Sequence, residues 1–414
     1  MEKMIVKKSP PLSGCVQIGG AKNAALPILA ATLLCRGTSV IENVPDLSDI
    51  QNMCEILKTV GADVKREGHT VTVTPQLRQN TVPYAMMCRL RGSFLILAPL
   101  LARLGSASVS LPGGCPIGVR PVDLHLKGFS ALGAQIKMKH GAAEIHAKQL
   151  CGSRVYLDFP SVGATENVLM AAVLAEGKSM IVNAAAEPEI ESLAAFLNKA
   201  GAKIKGAGTS VICVEGVSRL DGVTHSVIPD RIEAGTFMTA AAITHGKITL
   251  KGVNCAHLKP VIAKFRESGI VIDEHKNRLE MDAGGALLPF NIKTLPFPGF
   301  PTDMQAQMTA LMCMCEGTST VMETVFENRF LHVAALVRMG ANIRLAGRCA
   351  IVEGVKSLSG AKVEATDLRG GAAMVLAGLA AKGDTEIGDI FHIARGYERF
   401  SEKLSALGAK LEEK

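Results

Sequence analysis

One phrase recurs six times along the 414-residue chain, and it limits the possible fold more than any other feature. It reads LKTVGADVKREG from Leu57, FSALGAQIKMKHG from Phe129, LNKAGAKIKGAG from Leu197, FRESGIVIDEH from Phe265, LVRMGANIRLAG from Leu336 and LSALGAKLEEK from Leu404. Each copy is an amphipathic helix that stops at a glycine and gives way to a strand. The glycines Gly61, Gly133, Gly201, Gly269, Gly340 and Gly408 stand roughly 70 residues apart, too far for a solenoid unit and suited to a βαβαββ subdomain.

A second phrase runs half a period out of step. Its members include AKNAALPILAATLLCRGTSVIENV, RGSFLILAPLLARLGSASVSL, VGATENVLMAAVLAEGKSMIVNA and RIEAGTFMTAAAITHGKITLKGV. After a polar start the helix is apolar on nearly every side, so it belongs in the interior. The last repeat ends without its final strands, and MIVKKSPPLSGCVQIGG at the N-terminus matches those strands in the fifth repeat, including the LSG shared at Leu12 and Leu358. The expected architecture is α/β, with six βαβαββ repeats in two three-repeat domains, buried helices inside and sheets outside. The first domain is expected at 21–229, and the second at 230–414 together with 1–20.

Composition narrows the function. Hydrophobic residues make up 48% of the chain and aromatics 4%, with no Trp, so Ala, Val, Leu, Ile and Met must fill the cores. The net charge of +7 suits an anionic partner, but few aromatics are available for stacking bases, which favours a small anion over nucleic acid. Most of the eleven cysteines lie in apolar runs, as Cys35 and Cys213 do, and read as reduced core residues of a cytoplasmic protein. None has metal-ligand spacing, so neither zinc nor any other cofactor is expected. The apolar runs from Ala24 to Cys35 and Phe94 to Ala102 fall short of the ~20 residues that span a membrane.

Two kinds of position suggest chemistry. In SLPGGCPIGVRPVDL, from Ser110 to Leu124, Pro and Gly punctuate a loop that carries Cys115 close to Arg120. A cation and free backbone N–H groups favour thiolate, although the loop taken alone is equally compatible with a structural turn. Elsewhere polar residues gather where the buried helices begin: Lys22 and Asn23, Arg91, Ser161 to Thr165, Arg231, Asp303, then Asp367 and Arg369. Helix N-termini attract anions, and such ends directed at a common cleft would bind phosphate. Asn23, Ser161, Asp303 and Asp367 are also good N-caps. Capping leaves Lys22, Arg91 and Arg369 unexplained, because cations oppose the dipole there, and an anion should compensate them.

KNAALP at Lys22, LPGGCPIGVRPVDL at Leu111, SVGAT at Ser161, EPEI at Glu187, PDRIEAGTF at Pro229, FPTDMQAQ at Phe300, ETVFENRF at Glu323, TDLR at Thr366 and RGYER at Arg395 occur in order along the chain. Together they resemble the UDP-N-acetylglucosamine 1-carboxyvinyltransferases, enolpyruvyl transferases of the EPSP synthase family. The resemblance implies a two-domain inverse α/β barrel. It also implies transfer of the enolpyruvyl group of phosphoenolpyruvate to the 3′-hydroxyl of UDP-N-acetylglucosamine, with phosphate lost through a tetrahedral intermediate.

Carried over residue by residue, the resemblance makes Cys115 a proton donor that can also add covalently to the enolpyruvyl carbon. Lys22, Arg120 and Arg395 would hold phosphate and carboxylate. Asp303 would act as general base, with Asn23 and Val325 on the sugar. Arg91, the segment Arg120, Pro121, Val122, Asp123 and Leu124, and Ser161, Val162 and Gly163 would bind the uridine diphosphate, while Arg329, Asp367 and Arg369 build the cleft wall. Phe159 and Pro160 stand where some members place a basic residue. EPSP synthase itself, a non-catalytic anion-binding paralogue and RNA 3′-phosphate cyclase are the other readings. They are weighed against by the cysteine loop, by the set Cys115, Asp303 and Lys22, and by the lack of a His in these motifs.

Overall fold

The structure, a computed structural model, describes residues 3–110, 122–139 and 141–414. Among these residues the chain forms two compact units. The N-terminal unit comprises 20–110 and 122–228, and the C-terminal unit comprises 3–19 and 229–414. Each has its own apolar core, built almost wholly from aliphatic side chains.

Among the described residues each unit contains three four-stranded sheets of one design. In one of them Thr318–Met322 pairs antiparallel with Cys349–Glu353, which pairs antiparallel with Asn342–Ala346. On the other side Asn291–Lys293, from the preceding repeat, runs parallel to Thr318–Met322. That borrowed strand couples neighbouring repeats. In the N-terminal unit the exchange closes when Thr224–Ser226 runs parallel to Ser39–Glu42. In the C-terminal unit Met4–Lys7 enters the last sheet, with Met4 opposite both Ile387 and Glu413, and Ser13–Gln17 runs parallel to Lys247–Lys251.

The six repeated glycines all take φ between 87 and 112°, a region a β-carbon disfavours, which is why each ends its helix and redirects the chain into a strand. The out-of-step helices are buried as their sequences require: in Arg231–Ile243 every residue after Arg231 is buried. Interior hydroxyls are satisfied along their own helices, as where Thr239 Oγ1 donates to the Gly235 carbonyl at 2.8 Å and Thr309 Oγ1 to that of Gln305 at 2.8 Å. Among the described residues no helix is long and apolar enough to cross a membrane.

Three sequence expectations need correction. Cys213 is exposed, because Val211–Glu215 alternates and directs Ile212 and Val214 inward instead. Of the ten described cysteines, all free, only Cys35, Cys54, Cys313 and Cys315 are buried. Asn23 and Asp303 cap nothing: the cap positions are held by Ala21 and Pro301, and each polar residue falls inside its helical segment. Ser161 and Asp367 do cap, and so does Asp230, whose carboxylate accepts from Ile232 N and Glu233 N.

Candidate active site

In the C-terminal unit the candidate residues interlock. Asp303 lies in the 3-10 turn Thr302–Met304 that leads into the buried helix Gln305–Met312. Arg329 Nη2 lies 2.5 Å from Asp303 Oδ1, and Arg369 Nη2 lies 3.3 Å from Oδ2. Both arginine side chains are buried, while the Asp303 side chain stays 27% exposed. Burial alone would raise the Asp303 pKa, but Arg329, Arg369 and Arg231 outweigh it and hold the carboxyl far below its ordinary range. The anion that compensates Arg369 is therefore supplied by the protein itself.

The arginines are braced in turn. Arg329 Nη1 donates to Thr302 Oγ1 at 3.0 Å, and Thr302 Oγ1 donates to Glu323 Oε2 at 2.8 Å. The other Glu323 oxygen accepts from Thr294 Oγ1 at 2.8 Å, Val325 N at 2.8 Å and Phe326 N at 3.1 Å. One buried carboxylate thus ties the loop at Val325 to the turn at Asp303. Because the Val325 N–H is committed to Glu323, the carbonyl is what that residue can offer a ligand. Asp367 caps Leu368–Ala380 through Arg369 N at 2.9 Å and Gly370 N at 3.0 Å, fixing the turn from which Arg369 projects. His332 is buried beside Asp367 and Arg329, and burial lowers its pKa to about 4. Arg395 follows the short helix Phe391–Ala394 and lies near His392, where burial and then Arg395 favour the neutral imidazole.

In the N-terminal unit the described candidates stand on several helices. Lys22 opens the buried helix Lys22–Ala31, and its Nζ sits 3.0 Å from Asp49 Oδ2, so a buried carboxylate compensates this cation too. Asn23, next to it, is exposed. Ser161 Oγ accepts from Ala164 N at 3.4 Å at the start of Val162–Ala172. Val122 precedes the helix Asp123–Ala131, whose first turn holds Asp123 and Leu124. The two helix starts meet at His125: a β-carbon on Gly163 would lie 3.1 Å from His125 Cε1. The imidazole Nδ1 is 2.8 Å from Asn167 Nδ2, and its ring meets Phe94 edge-on at 5.1 Å. Burial lowers the His125 pKa to about 4. The EPEI segment adds Glu187 and Glu189, both buried near Glu166, whose carboxyl is pushed well up by burial and then by those neighbours.

Arg91 begins the 3-10 helix Arg91–Ile96. Its side chain, and the whole of Cys115, Arg120 and Pro121, lie outside the described residues. Several functional candidates were missed in the sequence although each stood inside a recognised phrase or beside one: Thr302 precedes Asp303, Glu323 opens ETVFENRF, His125 follows Leu124 and Tyr397 is the centre of RGYER. Asp49 gave no comparable signal.

A sequence model of EPSP synthase, described as 3-phosphoshikimate 1-carboxyvinyltransferase, matches residues 6–404. The chain belongs to the EPSP synthase family. Within that family it is 60% identical to UDP-N-acetylglucosamine 1-carboxyvinyltransferase 2 of Carboxydothermus hydrogenoformans, over 100% of this chain and 99% of that one. It is 55% identical to UDP-N-acetylglucosamine 1-carboxyvinyltransferase 1 of Caldanaerobacter subterraneus, over 99% of each. Among solved structures, the enolpyruvyl transferase NikO of Streptomyces tendae superposes with a TM-score of 0.92 at 24% identity, covering 100% of this chain and 98% of that one. EPSP synthase of Acinetobacter baumannii gives a TM-score of 0.79 at 18% identity, covering 100% of each. At those identities the likeness speaks for the two-domain α/β fold of the EPSP synthase family.

Proposed function

We propose that the chain transfers the enolpyruvyl group of phosphoenolpyruvate to the 3′-hydroxyl of UDP-N-acetylglucosamine, releasing phosphate, as the first committed step of peptidoglycan synthesis in the cytoplasm. The observation that carries this reading is the full-length identity with two enzymes named for that acceptor. The six repeats are read as the inverse α/β barrel of the family, with domains at 21–229 and at 1–20 plus 230–414.

Chemistry assigns the roles. Protonating the methylene carbon of phosphoenolpyruvate leaves an oxocarbenium-like centre that the sugar hydroxyl attacks while losing its proton. Cys115 is assigned the first proton and Asp303 the second. The adduct then loses a methyl proton as its bond to the phosphate oxygen breaks. Lys22, Arg120 and Arg395 are assigned to the phosphate and carboxylate, because cations fixed around a developing phosphate stabilise it most. Asn23 and Val325 are assigned to the sugar, and Arg91, Arg120 to Leu124, and Ser161 to Gly163 to the uridine diphosphate. Arg329, Asp367 and Arg369 are assigned to the cleft wall. Two arginines orient Asp303 but also weaken it as a base, and an anionic substrate that draws on the same arginines offsets that weakening.

Acceptor-dependent phosphate release tests the proposal. With phosphoenolpyruvate present, phosphate should appear with UDP-N-acetylglucosamine and not with shikimate 3-phosphate. Equal release with both acceptors would refute it.

A further inference from the structure

Arg369 is 4% exposed, yet its Nε and Nη1 have no hydrogen-bond partner among the described residues. Its guanidinium is held by Nη2 against Asp303 Oδ2 and by Tyr397, whose ring centroid lies 5.2 Å away, with the Asp230 carboxylate adding a favourable charge. Tyr397 is itself 2% exposed and tied by its hydroxyl. The proton directions can be assigned. Thr236 Oγ1 gives its proton to the Ile232 carbonyl at 2.8 Å, so across the 2.9 Å contact with Tyr397 it must accept. The phenol proton therefore goes to Thr236. Gln307 Nε2 donates to the Tyr397 oxygen at 3.1 Å and to the Asp303 carbonyl at 2.9 Å. A phenol with its proton committed in this way is no acid for the reaction. It connects three buried helices, through Thr236 in Arg231–Ile243, Gln307 in Gln305–Met312 and Arg369 in Leu368–Ala380.

The same segment carries Arg395. Beside Tyr397, a β-carbon on Gly396 would lie 2.6 Å from Leu368 Cδ1, so the backbone there is seated directly on the start of the Arg369 helix. We infer that Tyr397 is a positioning residue of the transfer reaction, holding Arg369 against Asp303. The inference rests on Asp303 as the reacting base.

Tyr397→Phe keeps the ring and removes the hydroxyl that orients it. Loss of one such hydrogen-bond anchor should lower kcat about tenfold, with KM for phosphoenolpyruvate changed by less than about threefold. Tyr397→Leu, which also removes the ring face, should lower kcat further. In an Asp303→Asn background, Tyr397→Phe should have almost no additional effect, because the two act as a unit. Wild-type kcat in Tyr397→Phe, or effects that multiply fully in the double variant, would overturn the inference. If Asp303→Asn itself keeps most of its kcat, the base assignment fails, and a crystal structure of ligand-free Tyr397→Phe decides the positioning role separately. Arg369 Nη2 drawn out of hydrogen-bond reach of Asp303 would support it, and an unmoved guanidinium would refute it.

Discussion

The two units treat their buried charges differently. In the C-terminal unit Asp303, Arg329, Arg369, Thr302, Glu323 and Tyr397 form one continuous polar chain, so each side chain is oriented by the next. In the N-terminal unit Lys22 Nζ faces the Asp49 carboxylate, and the neutral His125 ring faces Asn167 on two other helices. A continuous network fixes directions as well as charges, as proton abstraction requires, whereas a single cation for a phosphate needs little more than placement. The continuous network surrounds Asp303, the residue proposed to activate the acceptor.

The sharpest way to break this contrast is Asp303→Asn, which keeps the side chain's shape and leaves helix capping untouched. It should reduce kcat by about 10²–10⁴-fold, the usual cost of losing a general base. A variant retaining most of its kcat would reduce the network to scaffolding. Asp49→Asn probes the other unit by removing the carboxylate that faces buried Lys22. Urea unfolding should show a loss of about 1–3 kcal/mol, in the range for a charged hydrogen bond broken in the interior. An unchanged midpoint would mean that the pair contributes nothing.

A smaller effect concerns Cys115. If Arg120 lowers its pKa below the ~8.5 of a free thiol, it should be alkylated fastest, with a pH midpoint that rises in Arg120→Ala. The useful comparison is with Cys15, Cys88, Cys151 and Cys213, which are exposed, because burial pushes Cys313 and Cys315 up to about 12 and Cys35 up to about 11. Mass-resolved labelling in which Cys115 reacts no faster than those four would remove the activated thiol.

A last effect is one the two units share. His125 and His332 are each lowered to about 4, against roughly 6.5 for an unfolded histidine. The unfolded chain binds the extra protons, so stability contributed by the neutral imidazoles is present above pH ~6.5 and lost as pH falls toward 4. Each histidine contributes a slope of at most about 1.4 kcal/mol per pH unit in that window. His125→Gln and His332→Gln should each flatten the dependence of urea midpoints on pH, and an unchanged slope would show that the ring titrates normally.

The fold was legible because its signals are periodic. Six glycines at positive φ and helices without a polar face can be recognised one repeat at a time, and the borrowed N-terminal strands followed from a missing match. Site residues in short phrases were legible as types but not as partners. Asp303 and Asn23 looked like caps, because a polar residue at a helix start has the same sequence appearance whether it caps or faces outward. The compensation of Lys22 by Asp49 and of Arg369 by Asp303 joins residues 27 and 66 positions apart. No local pattern encodes such pairs. Cys213 was misplaced because an apolar run conceals the alternation of a strand that is buried on one face.

Addition and elimination at the enolpyruvyl carbon can be tested directly by running the reaction in deuterium oxide and analysing the product by NMR and mass spectrometry. If the methylene carbon is protonated from an exchangeable acid to give a rotating methyl group, elimination must leave solvent deuterium in the vinyl group of an enolpyruvyl ether on the sugar 3′-oxygen. A product carrying the vinyl group with no deuterium would contradict protonation at that carbon, and with it the role assigned to Cys115.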